Sequence, residues 1–301
     1  MKTRNIYRPS WANLLFASSL LLSSACMDAT FSGNPNVVTP HASPSLIGPD
    51  SFPNGSPVKI VVAVDFSGSA PNNRIQRPSA DDLQPLFELL LEFGGELAIL
   101  MICDYSDRPL LRARIPEPPQ IPFDNLNETI PPTPPATTGN PFKLAEQQTD
   151  YEEKLRVYRE KQAENQQVLA VFEDDLARHQ EAAGLILEAF HLDLVELLES
   201  RKVCQTTDIW GSVQRADLFL AEPTTAWSSP PSQYAVFITD GLDTVGQTSA
   251  SFTSEVQLLL VNGTASLGIF TKLPHHKFES TGSALEHLVA EHIKKEIKNE
   301  S

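Results

Sequence analysis

The chain has 301 residues and is 41% apolar, enough to bury one large core or two small ones. Its formal charge of −15 and pI near 4.9 argue against a nucleic-acid binder, which needs a basic face. They suit a soluble acidic surface that attracts divalent cations.

Lys2, Arg4 and Arg8 form a basic start, and Trp11 to Leu22 is an apolar stretch too brief for a comfortable transmembrane helix. Leu22, Ser23, Ser24, Ala25 and Cys26 follow. Small residues before a cysteine resemble the lipobox of bacterial lipoproteins, although the leucine stands four residues before Cys26 rather than three. The resemblance implies a signal segment over 1–26, with Cys26 acylated and the mature protein lipid-anchored to the membrane of the cell envelope. More than one acyl chain makes such an anchor firm. Met27 rather than aspartate after the cysteine implies the outer membrane in a cell that has one. The alternative is a plain secretory signal cleaved near Ala25 and a secreted product. Residues 27–57 carry Ser, Thr, Pro, Gly and Asn with no apolar period, and predict a flexible tether.

Val58 to Ser69 reads V-K-I-V-V-A-V-D-F-S-G-S. The apolar, mostly β-branched run predicts a strand buried on both faces, as in a parallel sheet. It stops at Asp65, Ser67 and Ser69, three hard oxygen donors at alternate positions. They suit Mg²⁺, which keeps several waters and takes few carboxylates; a polar turn with an N-cap accounts for the pentapeptide equally well. Leu83, Leu86, Phe87, Leu90, Leu91 and Phe93 then recur at helical spacing, and Gly94-Gly95 ends the helix. Glu96 to Cys103 predicts a second buried strand. Leu110 to Ile115, with Arg112 and Arg114, predicts a half-exposed edge strand.

Residues 116–141 hold nine prolines and predict a stiff, partly polyproline-II spacer. From Phe142 the chain lacks Pro and Gly up to Ala183. Leu144, Gln148, Tyr151, Leu155, Tyr158, Gln162, Asn165, Leu169, Phe172, Leu176, His179, Ala183 and Ile186 alternate in steps of four and three, a heptad seam. One helix to about Ser200 spans roughly 85 Å, and the spacer covers a comparable ~80 Å. An extended segment running out and one helix returning is therefore expected, with a helical hairpin turning at 163–167 as the alternative. The insertion over 142–184 is predicted to be a helical coiled coil open to self-association, with Gly184 as a point of bending. His179 reads as a polar seam residue rather than a ligand.

Leu185 to Leu198 is expected to pack on the domain. Thr206, Thr207 and Asp208 precede a helix through Val213, Ala216, Leu218 and Leu220. Tyr234 to Ile238 predicts another buried strand, ending in Thr239, Asp240, Gly241, Leu242 and Asp243. In a parallel sheet both strand-end aspartates lie on the carboxyl edge, where open α/β sheets bind ligands. Glu255 to Val261 predicts a strand. The segment His275 to Glu279 holds a candidate last strand. Leu285, Leu288, Val289, Ile293 and Ile297 mark a final helix.

D-F-S-G-S at Asp65, T-D-I at Thr207 and I-T-D-G at Asp240, in this order, resemble the von Willebrand factor type A domain with its metal-ion-dependent adhesion site. The resemblance covers 58–115 and 185–301. It implies an α/β, doubly wound, mostly parallel Rossmann-like sheet. It further implies Mg²⁺, or Mn²⁺, held by Asp65, Ser67, Ser69, Thr207 and Asp240, and a partner protein whose acidic residue completes the shell. Asp208 and Asp243 are read as capping turns or shaping the site. Cys103 and Cys204 both fall near that edge. Outside the cytoplasm they either pair or remain two buried thiols, since pairing needs Cα atoms within about 7 Å.

The chain has no G-x-S-x-G elbow, no glycine-rich phosphate loop and no H-E-x-x-H. Asp65-Phe66-Ser67 is similar to the start of phosphotransferases with an aspartyl nucleophile, but serine replaces their second aspartate. The sequence therefore points to an anchored, metal-dependent protein-binding module, not an enzyme. The alternatives are a structural envelope protein acting through its coiled coil and a Mg²⁺-dependent phosphohydrolase.

Overall fold

The computed structural model describes residues 55–68, 75–104, 110–122, 126–135, 140–200, 204–223, 227–246, 251–262 and 267–299. They fall within one unit, Pro49–Ser301. Cys26 and most of the tether lie outside the described residues, as does Ser69.

The core is a six-stranded sheet in the order β3-β2-β1-β4-β5-β6. Its strands are β1 (Val58–Asp65), β2 (Gly95–Ile102), β3 (Leu111–Ile115), β4 (Ser232–Ile238), β5 (Gln257–Val261) and β6 (His276–Phe278). All neighbours pair in parallel except β2 and β3, which are antiparallel. β1 is buried along its whole length, as its apolar run requires once both faces are covered. Lys59 is the one basic residue inside it. Its Nζ donates to the Glu222 carbonyl at 2.8 Å and stands 4.9 Å over the Phe219 ring.

Helices cover both faces, so the sheet is doubly wound. On one side lie α1 (Gln84–Phe93), the end of α2 (Pro141–Glu199) and α4 (Thr281–Asn299), contributing Leu86, Phe87, Phe190, Leu194 and Leu285. On the other lie α3 (Ile209–Ala221) and a 3₁₀ turn at Gly268–Lys272, contributing Val213, Phe219 and Phe270. Each large apolar side chain so buried contributes about 1.5–3 kcal/mol. The turn from α1 into β2 needs glycine. Gly95 has φ +133, and a Cβ there would meet the Val58 carbonyl oxygen at 2.0 Å.

Two expected faces are rotated. In α3, Leu218 is exposed and Phe219 takes the inward position. In α4, Leu285 and Leu288 are buried, but Ile293 and Ile297 face outward and His292 and Glu296 face in. The reason is polar: Phe93 meets His292 edge-on at 4.6 Å, His292 Nδ1 lies 3.2 Å from the Tyr234 hydroxyl, and Glu296 Oε2 accepts from Ser56 N at 2.9 Å. These contacts reward positions that hydrophobic spacing ignores.

α2 is one helix of 59 residues, about 88 Å long at 1.5 Å per residue. The pairing of the Asn140 side chain with Phe142 N at 3.0 Å caps its start, satisfying one of the orphan donors there. Gly184 does not bend it away: the helix runs through, and a Cβ there would touch nothing within 4 Å. Ala183, Leu187, Phe190, Leu194 and Leu198 bury its final turns in the core, whereas Phe172 is the sole fully buried residue before them.

The seam of the first half faces this chain's own proline-rich segment. Glu117–Ile121 share a cleft with Phe172, Leu176 and Gln180. Asn127 N donates to Asn165 Oδ1 at 2.7 Å, and Asn165 Nδ2 donates back to the Asn127 carbonyl at 2.8 Å. Glu128 to Pro135 lie along Gln147 to Lys161. The two runs are antiparallel and matched in length. Extended chain from 127 to 135 covers about 25 Å, and helix from 165 back to 147 covers about 27 Å. Side-chain amide bonds at Asn127 and Asn165 therefore tie the outgoing segment of the arm to the helix. It leaves from the edge where β1 begins, since Ile115 pairs with Gly95 and Gly95 with Val58. Among the described residues no helix is long and apolar enough to cross a membrane.

Because Ile121 and Phe172 line one cleft, a short Gly/Ser linker replacing 122–171 should leave the sheet intact. Urea unfolding of that variant is expected to remain a single cooperative transition with a smaller m-value. Loss of cooperativity would show that the arm belongs to the folding unit.

Candidate metal centre

β1 and β4 are adjacent and parallel, with Val64 opposite Ile238. The next residues along, Asp65 and Thr239, therefore meet at the carboxyl edge. Asp65 Oδ1 accepts from Ser67 N at 2.7 Å, and Oδ2 accepts from Thr239 Oγ1 at 2.8 Å. Thr239 Oγ1 in turn accepts from Gly241 N at 3.1 Å, so its own proton is committed to Asp65. Asp240 Oδ1 accepts from Leu242 N at 3.0 Å, holding the turn after β4. Asp65, Ser67, Thr207 and Asp240 are each exposed by 4% or less, so these donors sit beneath the surface of the loops.

The Thr207 loop is fastened from two sides. Cys103, just beyond β2, and Cys204 form a disulfide with Cα atoms 5.3 Å apart. Cys204 N donates to the Phe66 carbonyl at 3.0 Å, extending the sheet by one bridge to Ser67. Asp208 N donates to the Cys103 carbonyl at 3.1 Å, and Thr206 N donates to Asp104 Oδ1 at 2.6 Å. On the other side, Thr207 N donates to Thr244 Oγ1 at 2.7 Å. The disulfide closes a loop with a sequence separation of 101, which in the chain-entropy account stabilises the fold by about 4–5 kcal/mol. Asp208 caps α3 by accepting from Gly211 N at 2.8 Å. Asp243 accepts from Trp210 N at 3.1 Å.

Burial pushes the Asp65 carboxyl above its ordinary range. Hydrogen bonds from Ser67 and Thr239 oppose that shift, and the nearby Asp240 charge adds to it. Arg77 also feels Asp65, but its guanidinium lies 4.1 Å over the Phe66 ring and donates to the Phe66 and Ser200 carbonyls. Two buried carboxylates beside two hydroxyl residues form an all-oxygen donor set, which hard cations such as Mg²⁺ and Mn²⁺ prefer. Positive charge brought there would offset the burial, and to a lesser degree the Asp240 repulsion, that raise Asp65. Cys103, Asp104 and Cys204 also cluster, but their sulfurs are spent in the disulfide and offer no thiolate.

The fold thus brings Asp65, Ser67, Thr207 and Asp240 to one edge. Three supporting residues escaped the sequence reading. Thr239 stands beside Asp240, and Asp104 directly follows Cys103. Those positions were the available signals. Nothing in the sequence marked Thr244.

No family model matches the chain, and no curated protein matches it. Among solved structures, the pilus adhesin SpaC from Lactobacillus rhamnosus GG in its open conformation is similar at 13% identity with a TM-score of 0.32. The match covers 82% of this chain and 31% of that one, and a second form of the same adhesin gives the same values. The chain spans about a third of the adhesin's length.

The raised Asp65 carboxyl predicts a pH effect without metal. A carboxyl whose pKa is higher folded than unfolded stabilises the fold at low pH. That contribution is lost as pH rises through the folded pKa. In chelator, stability is expected to fall from mildly acidic pH upward, and Asp65→Asn to flatten the fall. An Asn variant with the wild-type slope in denaturant melts would contradict this.

Proposed function

We propose that the carboxyl-edge cluster is a metal-ion-dependent adhesion site of the von Willebrand factor type A kind. On this reading the protein is a non-enzymatic module that binds a partner protein outside the cytoplasm. The observation that supports it is the pair of buried aspartates, Asp65 and Asp240, at the carboxyl ends of the adjacent parallel strands β1 and β4, with Ser67 and Thr207 buried in loops beside them. Those four residues would hold Mg²⁺ or Mn²⁺, with Ser69 joining them by its spacing. A bound ion supplies an electrophilic position for an outside oxygen. The protein contributes only two carboxylate charges, so a partner's Asp or Glu would gain a charge-assisted contact there. The chain's own groups orient the donors: Ser67 N and Thr239 Oγ1 fix both oxygens of Asp65.

Mg²⁺ titrated calorimetrically into the wild type should give saturable heat that Asp65→Ala abolishes; because Asp65 is the buried last residue of β1, circular dichroism of the variant in chelator checks that the fold is retained. Equal heats from the two proteins would overturn the reading.

We further propose that Cys26 carries the lipid anchor, on the strength of the small residues before it. Cys26→Ser should move the protein from the membrane to the soluble extracytoplasmic fraction. Unchanged partitioning would remove the anchor. A second reading gives the work to the arm, and the length of α2 favours it. Partner capture that persists in chelator and disappears without the arm would support that alternative.

A further inference from the structure

The two loops that offer Thr207 and Asp240 lie far apart in sequence, and two exposed or half-exposed residues tie them together. Thr207 N donates to Thr244 Oγ1 at 2.7 Å, and Thr244 N donates back to the Thr207 carbonyl at 3.0 Å. One residue thus occupies both backbone groups of Thr207. Its neighbour Asp243 reaches one turn further, where Oδ2 accepts from Trp210 N at 3.1 Å at the start of α3. Asp243 is itself set by Val245 N at 2.8 Å and Gly246 N at 3.2 Å, both donating to Oδ1. On the opposite side Thr206 N and Asp208 N are held by Asp104 and by the Cys103 carbonyl. Thr207 is therefore gripped along its backbone from both flanks, which limits where its hydroxyl can reach.

We propose that Asp243 and Thr244 act as a clip that sets Thr207 for the metal, with Thr244 as the positioning residue. This rests on the metal-site reading above. A ligand must be held within about 0.5 Å of its working position, and loss of an outer-shell partner typically costs 10- to 100-fold in metal affinity. Thr207 is buried whereas Thr244 is exposed. A change at Thr244 therefore disturbs the ligand without opening the core. The clip also makes the Asp240 loop, the Thr207 loop and the first turn of α3 one mechanical unit.

The test is Mg²⁺ calorimetry on the full chain, with thermal melting in chelator as the second readout. Thr244→Val keeps the shape and removes the acceptor. It is expected to weaken Mg²⁺ binding about tenfold or more, while the metal-free protein stays folded at the titration temperature with a melting point lowered by a few degrees, since Thr207 N loses its acceptor. Thr244→Ser restores the acceptor and should bind as the wild type does. Wild-type affinity in Thr244→Val would overturn the clip and leave the metal site standing. So would a Ser variant as weak as the Val variant. A wild type that takes up no Mg²⁺ would instead overturn the site and the clip together.

Discussion

Parallel pairing of β1 with β4 in one register is the constraint on which the rest depends. It ends two adjacent strands at the same level and leaves Asp65, Thr239 and Asp240 crowded at one edge. Shifting one strand by a single residue would send Asp65 to the other face of the sheet. That shift would cost the alternation that buries Val58, Ile60, Val62 and Val64 toward α1 and α4, and Val61 and Ala63 toward α3. The apolar packing of the two faces therefore fixes the register, and the register fixes the site.

The site runs against the preferences of its own groups. Burial and the Asp240 charge both disfavour an ionised Asp65, and the bonds from Ser67 and Thr239 only partly offset them. A fold tolerates such a cluster when the surroundings over-determine it. Here the surroundings are the disulfide from Cys103 to Cys204, the bridge between Ser67 and Cys204, and the Arg77 guanidinium held over Phe66. The second structural theme lies at the other edge of the sheet. The arm leaves where β1 begins, while α2 ends at Ser200, whose carbonyl accepts from Arg77 beside the site. The proposed metal site and the arm thus occupy opposite ends of the domain, joined by the last turns of α2.

The layered architecture was legible because its signals are strong: a continuous β-branched run for β1, Gly94-Gly95 closing α1, and a long stretch without Pro or Gly for α2. The two strand-end aspartates, Asp65 and Asp240, were legible because each stands at the end of a continuous apolar run. What escaped depends on contacts between distant segments. The heptad seam marked a face of α2, but no periodicity could mark Asn127 as a residue that meets it. Asn127 pairs with Asn165 on that face, a contact between residues far apart in sequence. The face of α4 was misplaced because His292 and Glu296 are buried by polar partners on Tyr234 and Ser56. Thr244 escaped because a lone threonine carries no periodicity.

The central claim is that the donors on this edge hold one hard divalent ion. Anomalous scattering from a crystal grown or soaked with Mn²⁺ tests it most directly. The account predicts a single strong peak bounded by the side-chain oxygens of Asp65, Ser67, Thr207 and Asp240, absent in Asp65→Ala. A well-ordered manganese bound elsewhere with this edge empty, or an unchanged peak in the variant, would contradict it.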